Sequence, residues 1–184
     1  MLARIDDSVV VLVDFQPKFM APMPDAQTVV ARANFLARVA ERLGVPILIT
    51  EQYPDRMGHT DQNLFLNLLR PDDIPIFGKM EFSAYLAPGF ADHLASLGRK
   101  HLIVAGVETH ICVNQTVHHL LESEYDVTLA TDAITGRGED ARASALRRMV
   151  AAGAVESHTE SITYEWMGSA EHAAFRDILS MVKG

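Results

Sequence analysis

Apolar residues along the chain follow two patterns that alternate from one end to the other. Short apolar runs are typical of strands buried on both faces, and apolar residues at helical spacing are typical of helices packed on a sheet. The predicted strands are residues 8–13, 46–50, 101–105, 125–130 and 155–157. The predicted helices are residues 28–43, 90–97, 112–124, 142–152 and 170–182, with a short one near residues 62–69. This alternation predicts one α/β domain over residues 1–184, with a doubly wound, mostly parallel sheet in a three-layer α/β/α arrangement.

Residues 51–80 interrupt this pattern. The segment is rich in proline, glycine and aspartate, and a long excursion of this kind in a compact domain usually carries function. We therefore expect it to form the wall of a substrate site.

Composition narrows the classes of function. The chain has 184 residues, of which 48% are hydrophobic and 22% charged, and its formal net charge is −8. A negative chain without a basic patch is a poor partner for nucleic acid, and no apolar run approaches the ~20 residues of a membrane span. The first residues lack a secretory signal pattern, so we expect a soluble, cytoplasmic protein that contacts no membrane. Glycine-rich phosphate-binding motifs are missing, and no cofactor is expected.

Cys112 is the only cysteine, and it lies at the start of the predicted helix 112–124, directly after the apolar run 101–105. The partial positive charge of a helix N-terminus lowers the pKa of a cysteine there. This position therefore predicts a reactive thiol. The alternative is a small buried hydrophobic residue, since free cysteines are usually of that kind.

Two charged residues accompany strand ends or apolar segments. Asp14 follows the buried run 8–13, where a carboxylate is costly unless a cation or several donors neutralise it. It also fits an N-cap or a turn, and Lys79 alone is typical of a surface lysine with a packed aliphatic stem. Because ligand sites form at the carboxyl ends of parallel strands, we expect Asp14 and Cys112 to meet there, with Lys79 delivered by the segment 51–80.

Three segments together resemble the signature blocks of the isochorismatase-like cysteine hydrolases. They are VLVDFQ at residues 11–16, GKMEFSAY at 78–85 and GVETHICV at 106–113, and residues 129–133 and 158–161 are similar to further blocks. The blocks follow one another in order over nearly the whole chain. The resemblance implies an α/β fold with a mostly parallel sheet and a catalytic triad of Asp14, Lys79 and Cys112.

The same resemblance implies a mechanism. Asp14 would take the thiol proton, and Cys112 would attack a carbonyl to form a thioester that water then hydrolyses. Lys79 would hold Asp14 and the thiolate in a charge-compatible arrangement. A cis peptide carried over from the family falls at Val107–Glu108, and the backbone N–H groups of Glu108 and Cys112 would form the oxyanion hole.

Departures from the family patterns narrow the range of candidate substrates. Nicotinamidases bind a metal through an Asp-x-His and a further histidine after the second strand, whereas this chain has TEQYPDRMGHT at residues 50–60. No metal is therefore expected, and a small amide or related carbonyl compound is the predicted substrate. The expected substrate contacts, besides the triad, are Phe15, Gln16, Tyr53, Phe82 and His110.

Two further interpretations remain open. The chain could be a scaffold of the same family that binds a partner while its triad is idle. A redox-sensing thiol is less well supported, because no second cysteine is present to resolve a sulfenic acid. The resemblance also implies a homo-oligomer, to which the apolar residues of the C-terminal helix could contribute.

Overall fold

The computed structural model describes residues 2–183, in which six strands and eight α-helices alternate. The strands are β1 (Ser8–Val13), β2 (Ile47–Gln52), β3 (Ile76–Lys79), β4 (His101–Gly106), β5 (Asp126–Ile134) and β6 (Val155–Ser157). The helices are α1 (Pro17–Met20), α2 (Ala26–Leu43), α3 (Pro54–Met57), α4 (Phe90–Ser96), α5 (Asn114–Glu122), α6 (Glu139–Ala151), α7 (Thr159–Met167) and α8 (Phe175–Lys183).

The strands form one sheet in the order β3-β2-β1-β4-β5-β6. Every strand pair in residues 2–183 is parallel. The chain starts at the centre of the sheet, builds one half outward to β3, and then returns to the other side of β1 to build the second half. The predicted doubly wound α/β fold is confirmed, and the point where the strand order reverses lies between β1 and β4.

Alternation along the central strand divides the core into two layers. Val10 and Leu12 of β1 pack into the layer that includes α2, α7 and α8. Val9, Val11 and Val13 face the opposite layer, with α4, α5 and α6. Because β1 is covered on both faces, all six of its residues are buried, which explains why its sequence is apolar throughout after Ser8.

Some elements differ from the sequence prediction. The predicted loop before Met80 contains β3, an edge strand whose Ile76 and Gly78 are exposed, so no buried apolar run marked it. The helix α7 was not predicted, and the segment near residues 62–69 holds only a 3₁₀ turn, Gln62–Phe65. Cys112 lies in a π-helical turn, Thr109–Val113, that precedes α5.

Across residues 2–183, none of the helices has both the length and the apolar character that crossing a membrane requires.

Candidate active site

The ends of four neighbouring strands supply the polar groups of one site. Lys79 is the last residue of β3, Gln52 is the last residue of β2, and Asp14 directly follows β1. Cys112 follows β4, next to the point where the strand order reverses. The crevice outside the carboxyl ends of the strands at this switch point is the usual ligand site of doubly wound sheets.

Asp14 is held by residues of β2 and β3 and by its own backbone conformation. It has a φ of 57°, and its N–H donates to the Thr50 carbonyl at 3.1 Å. The hydroxyl of Thr50 donates to Oδ1 at 2.8 Å, and Lys79 Nζ donates to Oδ2 at 2.7 Å. The carboxylate is therefore fixed in a buried position by one cation and one hydroxyl.

Lys79 uses all three hydrogens of its ammonium group inside the protein. Nζ donates to Asp14 Oδ2 at 2.7 Å, to Gln52 Oε1 at 2.6 Å and to the Phe82 carbonyl at 3.1 Å. The side chain is fully buried. Since an ammonium has three donors, Lys79 has none left for a ligand, and its chemical contribution is a fixed positive charge.

Cys112 reaches the site through an unusually tight chain path. Gly106 at the end of β4 has a φ of 142°, and a Cβ there would lie 2.3 Å from the Val13 carbonyl oxygen, so only glycine fits at this position. The peptide bond between Val107 and Glu108, just after this glycine, is cis. Cys112 is 7% exposed, and its Sγ lies 4.0 Å from Gln52 Oε1.

The electrostatics of the thiol contradict the expectation of a lowered pKa. Burial, followed by the negative charge of Asp14, raises the pKa of Cys112 to about 12, although Lys79 acts in the opposite direction. Burial also raises the pKa of Asp14, against the opposing effect of Lys79. The helix N-terminus does not decide the outcome because desolvation of a buried thiolate is the larger effect. The resting group is a neutral thiol beside a carboxylate of increased basicity.

A small cavity of about 70 Å³ opens onto the thiol. Its lining is mostly apolar, and the lining residues are Asp14, Phe19, Gln52, Phe82, Val107, Glu108, Ile111 and Cys112. Of the expected substrate contacts, only Phe82 is among them. No pattern in the sequence indicated Phe19, Gln52, Val107 or Ile111. Gln52 is the last residue of β2, but the strand predicted from the sequence ended at residue 50, so nothing placed Gln52 at a strand end.

The other four expected contacts do not line this cavity. Phe15 is fully buried in the core layer beneath α2. The Gln16 side chain accepts from the Gln52 N–H at 2.7 Å and donates to the Gln52 carbonyl at 3.0 Å, so it anchors the end of β2. Tyr53 is 37% exposed, and His110 turns its Nδ1 towards Gly136.

The wall that carries Phe82 is fastened to α5. The Ala84 N–H donates to Thr116 Oγ1 at 2.8 Å, and that hydroxyl donates to the Cys112 carbonyl at 2.7 Å. One turn further along α5, His119 Nδ1 lies 2.9 Å from Ser83 Oγ. These bonds couple the position of Phe82 to the helix that begins just after the thiol.

A second ion pair adjoins the cavity. The carboxylate of Glu108 accepts a hydrogen bond from Arg137 Nε at 2.8 Å, and the two side chains are 8% and 58% exposed. Within residues 2–183, the Glu108 backbone N–H donates to no other residue. An unoccupied N–H beside the thiol is what an oxyanion donor requires.

The described residues contain no cluster of three or more histidine, cysteine, aspartate and glutamate side chains placed to hold a metal. His59 lies instead 3.0 Å from the buried carboxylate of Glu51. Glu51 also accepts from the N–H and hydroxyl of Thr60, at 2.7 and 2.8 Å. This group therefore stabilises the segment after β2.

Comparison with known proteins gives the class. The isochorismatase domain model matches residues 8–161 of the chain. Isochorismatase family protein 1A of Dictyostelium discoideum is 32% identical over 176 residues, which cover 95% of this chain and 85% of that protein. The secreted isochorismatase effector Isc1 of Phytophthora sojae is 33% identical over 178 residues, which cover 96% and 84%. The chain belongs to the isochorismatase family.

Solved structures agree on the fold. The MAR1 ribonuclease from Caenorhabditis elegans superimposes with a TM-score of 0.92 at 29% identity, over 100% of this chain and 93% of that one. The chain thus has the α/β fold of isochorismatase-like hydrolases.

Proposed function

We propose that this protein is a cysteine-dependent hydrolase of a small amide or related carbonyl compound. The observation that carries the proposal is the convergence of a buried Asp14–Lys79 ion pair and the chain's only thiol on one cavity. A carboxylate next to a nucleophile, itself oriented by a third group, is the arrangement that covalent acyl transfer requires.

In the first half of the reaction, Cys112 Sγ attacks the carbonyl carbon while Asp14 takes the thiol proton. The π electrons of the carbonyl move to its oxygen, where the backbone N–H groups of Glu108 and Cys112 donate hydrogen bonds. The oxyanion then re-forms the carbonyl, the C–N bond breaks, and the amine leaves with the proton from Asp14. The product is a thioester on Cys112.

In the second half, Asp14 takes a proton from water, and the resulting hydroxide attacks the thioester. The C–S bond breaks, the carboxylic acid leaves, and the proton on Asp14 returns to sulfur. Lys79 keeps its three hydrogen bonds throughout, and its positive charge offsets whichever anion is present on Asp14 or Cys112.

The raised thiol pKa fits this sequence of steps. At pH 7 a thiol with a pKa of about 12 holds its proton, so no stable thiolate is present before the substrate arrives. Proton transfer to Asp14 therefore accompanies the attack on carbon. A base whose pKa is raised by burial is better suited to that transfer than an ordinary aspartate.

Cavity size limits the acyl group. A water molecule needs roughly 10–15 Å³ of such space, so about 70 Å³ accommodates only a few non-hydrogen atoms. The apolar walls formed by Phe19, Phe82, Val107 and Ile111 favour a short aliphatic or planar acyl group over a charged one.

The test is a panel of short primary and secondary amides, with product formation followed by amine release. Intact-mass spectrometry is applied to samples quenched during turnover. We expect wild type to carry the added mass of one acyl group and Cys112→Ala to carry no added mass. If no amide is hydrolysed and no acyl group is found, the proposal is wrong. Ligand binding that is equal in wild type and Cys112→Ala, without turnover, would instead support a binding scaffold.

The Caenorhabditis elegans protein of similar structure is named a ribonuclease, and the same pair of proteins can be tested for that activity. A single-stranded RNA substrate, incubated with wild type and with Cys112→Ala, tests for ribonuclease activity. We expect no Cys112-dependent cleavage, because a nucleotide is several times larger than the cavity and the net charge of −8 repels a polyanion.

Two expectations accompany the proposal. We expect a homo-oligomer, which sedimentation velocity measures directly. A cytoplasmic location also remains a prediction, since the Phytophthora relative is described as secreted.

A further inference from the structure

Glu108 lines the thiol cavity together with Asp14 and Cys112, and the reaction scheme uses its backbone N–H but not its carboxylate. One oxygen, Oε2, accepts from Arg137 Nε at 2.8 Å and from the Arg137 N–H at 3.4 Å. Within residues 2–183 the other oxygen, Oε1, accepts no hydrogen bond, although the side chain is only 8% exposed. A residue of the cavity wall therefore has one carboxylate oxygen without a hydrogen-bond partner among residues 2–183.

The loop that carries Arg137 is fixed against the turn that carries Glu108. The Thr109 N–H donates to the Thr135 carbonyl at 2.9 Å. A Cβ on Gly136 would lie 3.3 Å from His110 Nδ1 and 3.7 Å from the Thr109 backbone nitrogen, so the loop packs closely on the turn. Arg137 itself is more than half exposed and is not a lining residue. The cation thus holds Glu108 from outside the cavity.

The other charges at the site cancel. Asp14 pairs with Lys79, and all three hydrogens of that ammonium are used. Apart from these two residues, Glu108 carries the only charged side chain among the described lining residues, and the remaining walls are mostly apolar. Among the described lining residues, the charge of Glu108 is therefore balanced only from outside the cavity, by Arg137.

We propose that the free carboxylate oxygen of Glu108 faces the cavity and accepts a hydrogen bond from an N–H group of the substrate, which makes Glu108 a specificity-determining residue. The site would then favour neutral or cationic compounds with an N–H donor, such as primary amides and amidines, over carboxylates of the same shape. Arg137 would moderate this preference by neutralising part of the charge. The substrate class named here rests on the proposed function, whereas the preference among ligands is measurable without turnover.

The first test uses the single cysteine as a reporter. Iodoacetamide and iodoacetate have nearly the same shape and differ in charge, and both alkylate the thiolate. Their rates at one pH are measured by intact mass and expressed as a ratio, which cancels the thiolate fraction because both reagents need the same anion. The ratio is then divided by that of N-acetylcysteine methyl ester, a small thiol without a net charge.

In 0.15 M salt, where distant charges are screened, we expect the iodoacetamide-to-iodoacetate rate ratio of wild type to be about fivefold higher than that of the small thiol. Glu108→Gln should reduce this excess to near unity. Arg137→Ala should increase it, because the carboxylate then lacks its counter-ion. The matched controls are Asp177→Asn and Arg42→Ala, which change the net charge in the same way at an exposed pair on α8 and α2.

A second test measures equilibrium binding of acetamidinium and acetate by ligand-observed NMR titration. These ions have the same shape and opposite charge, and wild type should bind acetamidinium at least several-fold more tightly. Glu108→Gln should remove that preference, and Asp177→Asn should keep it. Circular dichroism and thermal melting establish that each variant is folded, and Arg137→Ala provides the opposite shift should Glu108→Gln fail to fold.

The outcomes separate this inference from the proposed function. Equal binding of the two ions together with an alkylation ratio like that of the free thiol would overturn the role of Glu108. So would shifts in Glu108→Gln no larger than those in Asp177→Asn. A clear charge preference with no hydrolysis of any amide would support the role of Glu108 and contradict the amidase proposal instead.

Discussion

Lys79 Nζ lies 2.7 Å from Asp14 Oδ2, and the two side chains are 0% and 1% exposed. The pair joins the end of β3 to the end of β1 across the intervening β2. Both charges have left water, so each depends on the other for compensation. The pair therefore acts as one unit, and changing either partner alone has consequences for stability as well as for chemistry.

Breaking this pair should be costly. We expect Lys79→Met and Asp14→Asn each to lower the free energy of unfolding by about 3–5 kcal/mol, because each leaves one buried charge uncompensated. The double variant should recover a large part of that loss. Urea denaturation monitored by circular dichroism measures all three.

The matched comparison is the exposed pair Arg42–Asp177, whose side chains are 42% and 56% exposed. Arg42→Met and Asp177→Asn should each cost less than about 1 kcal/mol. Additive losses in the Asp14 and Lys79 double variant would contradict the interpretation of a coupled buried pair.

The pH dependence of alkylation should reveal the raised pKa of the thiol. With a pKa of about 12, Cys112 is protonated at neutral pH, and its alkylation rate should rise about tenfold per pH unit from pH 7 to 10 without a plateau. Iodoacetamide labelling followed by intact mass measures this profile. A plateau below pH 9 in wild type would contradict it.

Replacing the base should separate reactivity from catalysis. The charge and hydrogen bonding of Asp14 raise the pKa of Cys112, and Lys79 lowers it. Asp14→Asn should therefore lower the thiol pKa and speed alkylation at pH 8, while amide hydrolysis falls by at least 10²-fold because the proposed general base is gone. Slower alkylation together with unchanged hydrolysis would show that Asp14 is not the base.

Glu51 should make stability depend on acid pH. Burial raises its pKa, but hydrogen bonds from Thr60 and His59 outweigh that effect, and the net pKa is lowered from 4.5. A carboxyl whose pKa is lower in the folded state stabilises the protein above the pKa of the unfolded chain, and this contribution is lost as pH falls through the folded-state pKa. Glu51→Gln should thus cost about 1–3 kcal/mol at pH 7 and progressively less below pH 4.5.

Urea titrations of wild type and Glu51→Gln from pH 3 to 7 measure this difference. Glu81→Gln removes one carboxylate from an exposed position and serves as the control, with no pH-dependent loss expected. A difference between wild type and Glu51→Gln that stays constant across the pH range would contradict the assignment.

Enlarging the cavity at Phe82 should change which acyl groups fit. Phe82 lines the cavity and is 54% exposed, so truncation opens space at the mouth without emptying the core. Phe82→Ala should raise kcat/KM for longer acyl chains relative to the shortest by about 10-fold, the usual value of one or two methylene groups. Steady-state kinetics on a homologous amide series measures this ratio, and Leu86→Ala, exposed and outside the cavity, should leave it unchanged.

Much of the fold could be predicted from the sequence because burial on both faces leaves a direct mark. The run 8–13 contains no polar alternation, and β1 is the central strand of the sheet. Partly buried elements show no such pattern. The strand β3 at the sheet edge exposes two of its four residues, and its apolar pattern is too weak to indicate a strand. The helix α7 was not predicted because polar residues are interspersed among its apolar ones.

The site divides in the same way. The sequence by itself determined the alternating α/β architecture and, through three segments resembling one family, indicated Asp14, Lys79 and Cys112 as the candidate catalytic residues. Only the tertiary structure decided that the ammonium group of Lys79 donates all three of its hydrogen bonds within the protein. It also decided that Gln52 and Glu108 line the cavity, whereas Gln16 and Phe15 do not. It also reversed the expected direction of the thiol pKa. The reason is physical: hydrophobic periodicity is a local property of the chain, whereas desolvation and hydrogen-bond geometry depend on groups that meet only after the strands have assembled.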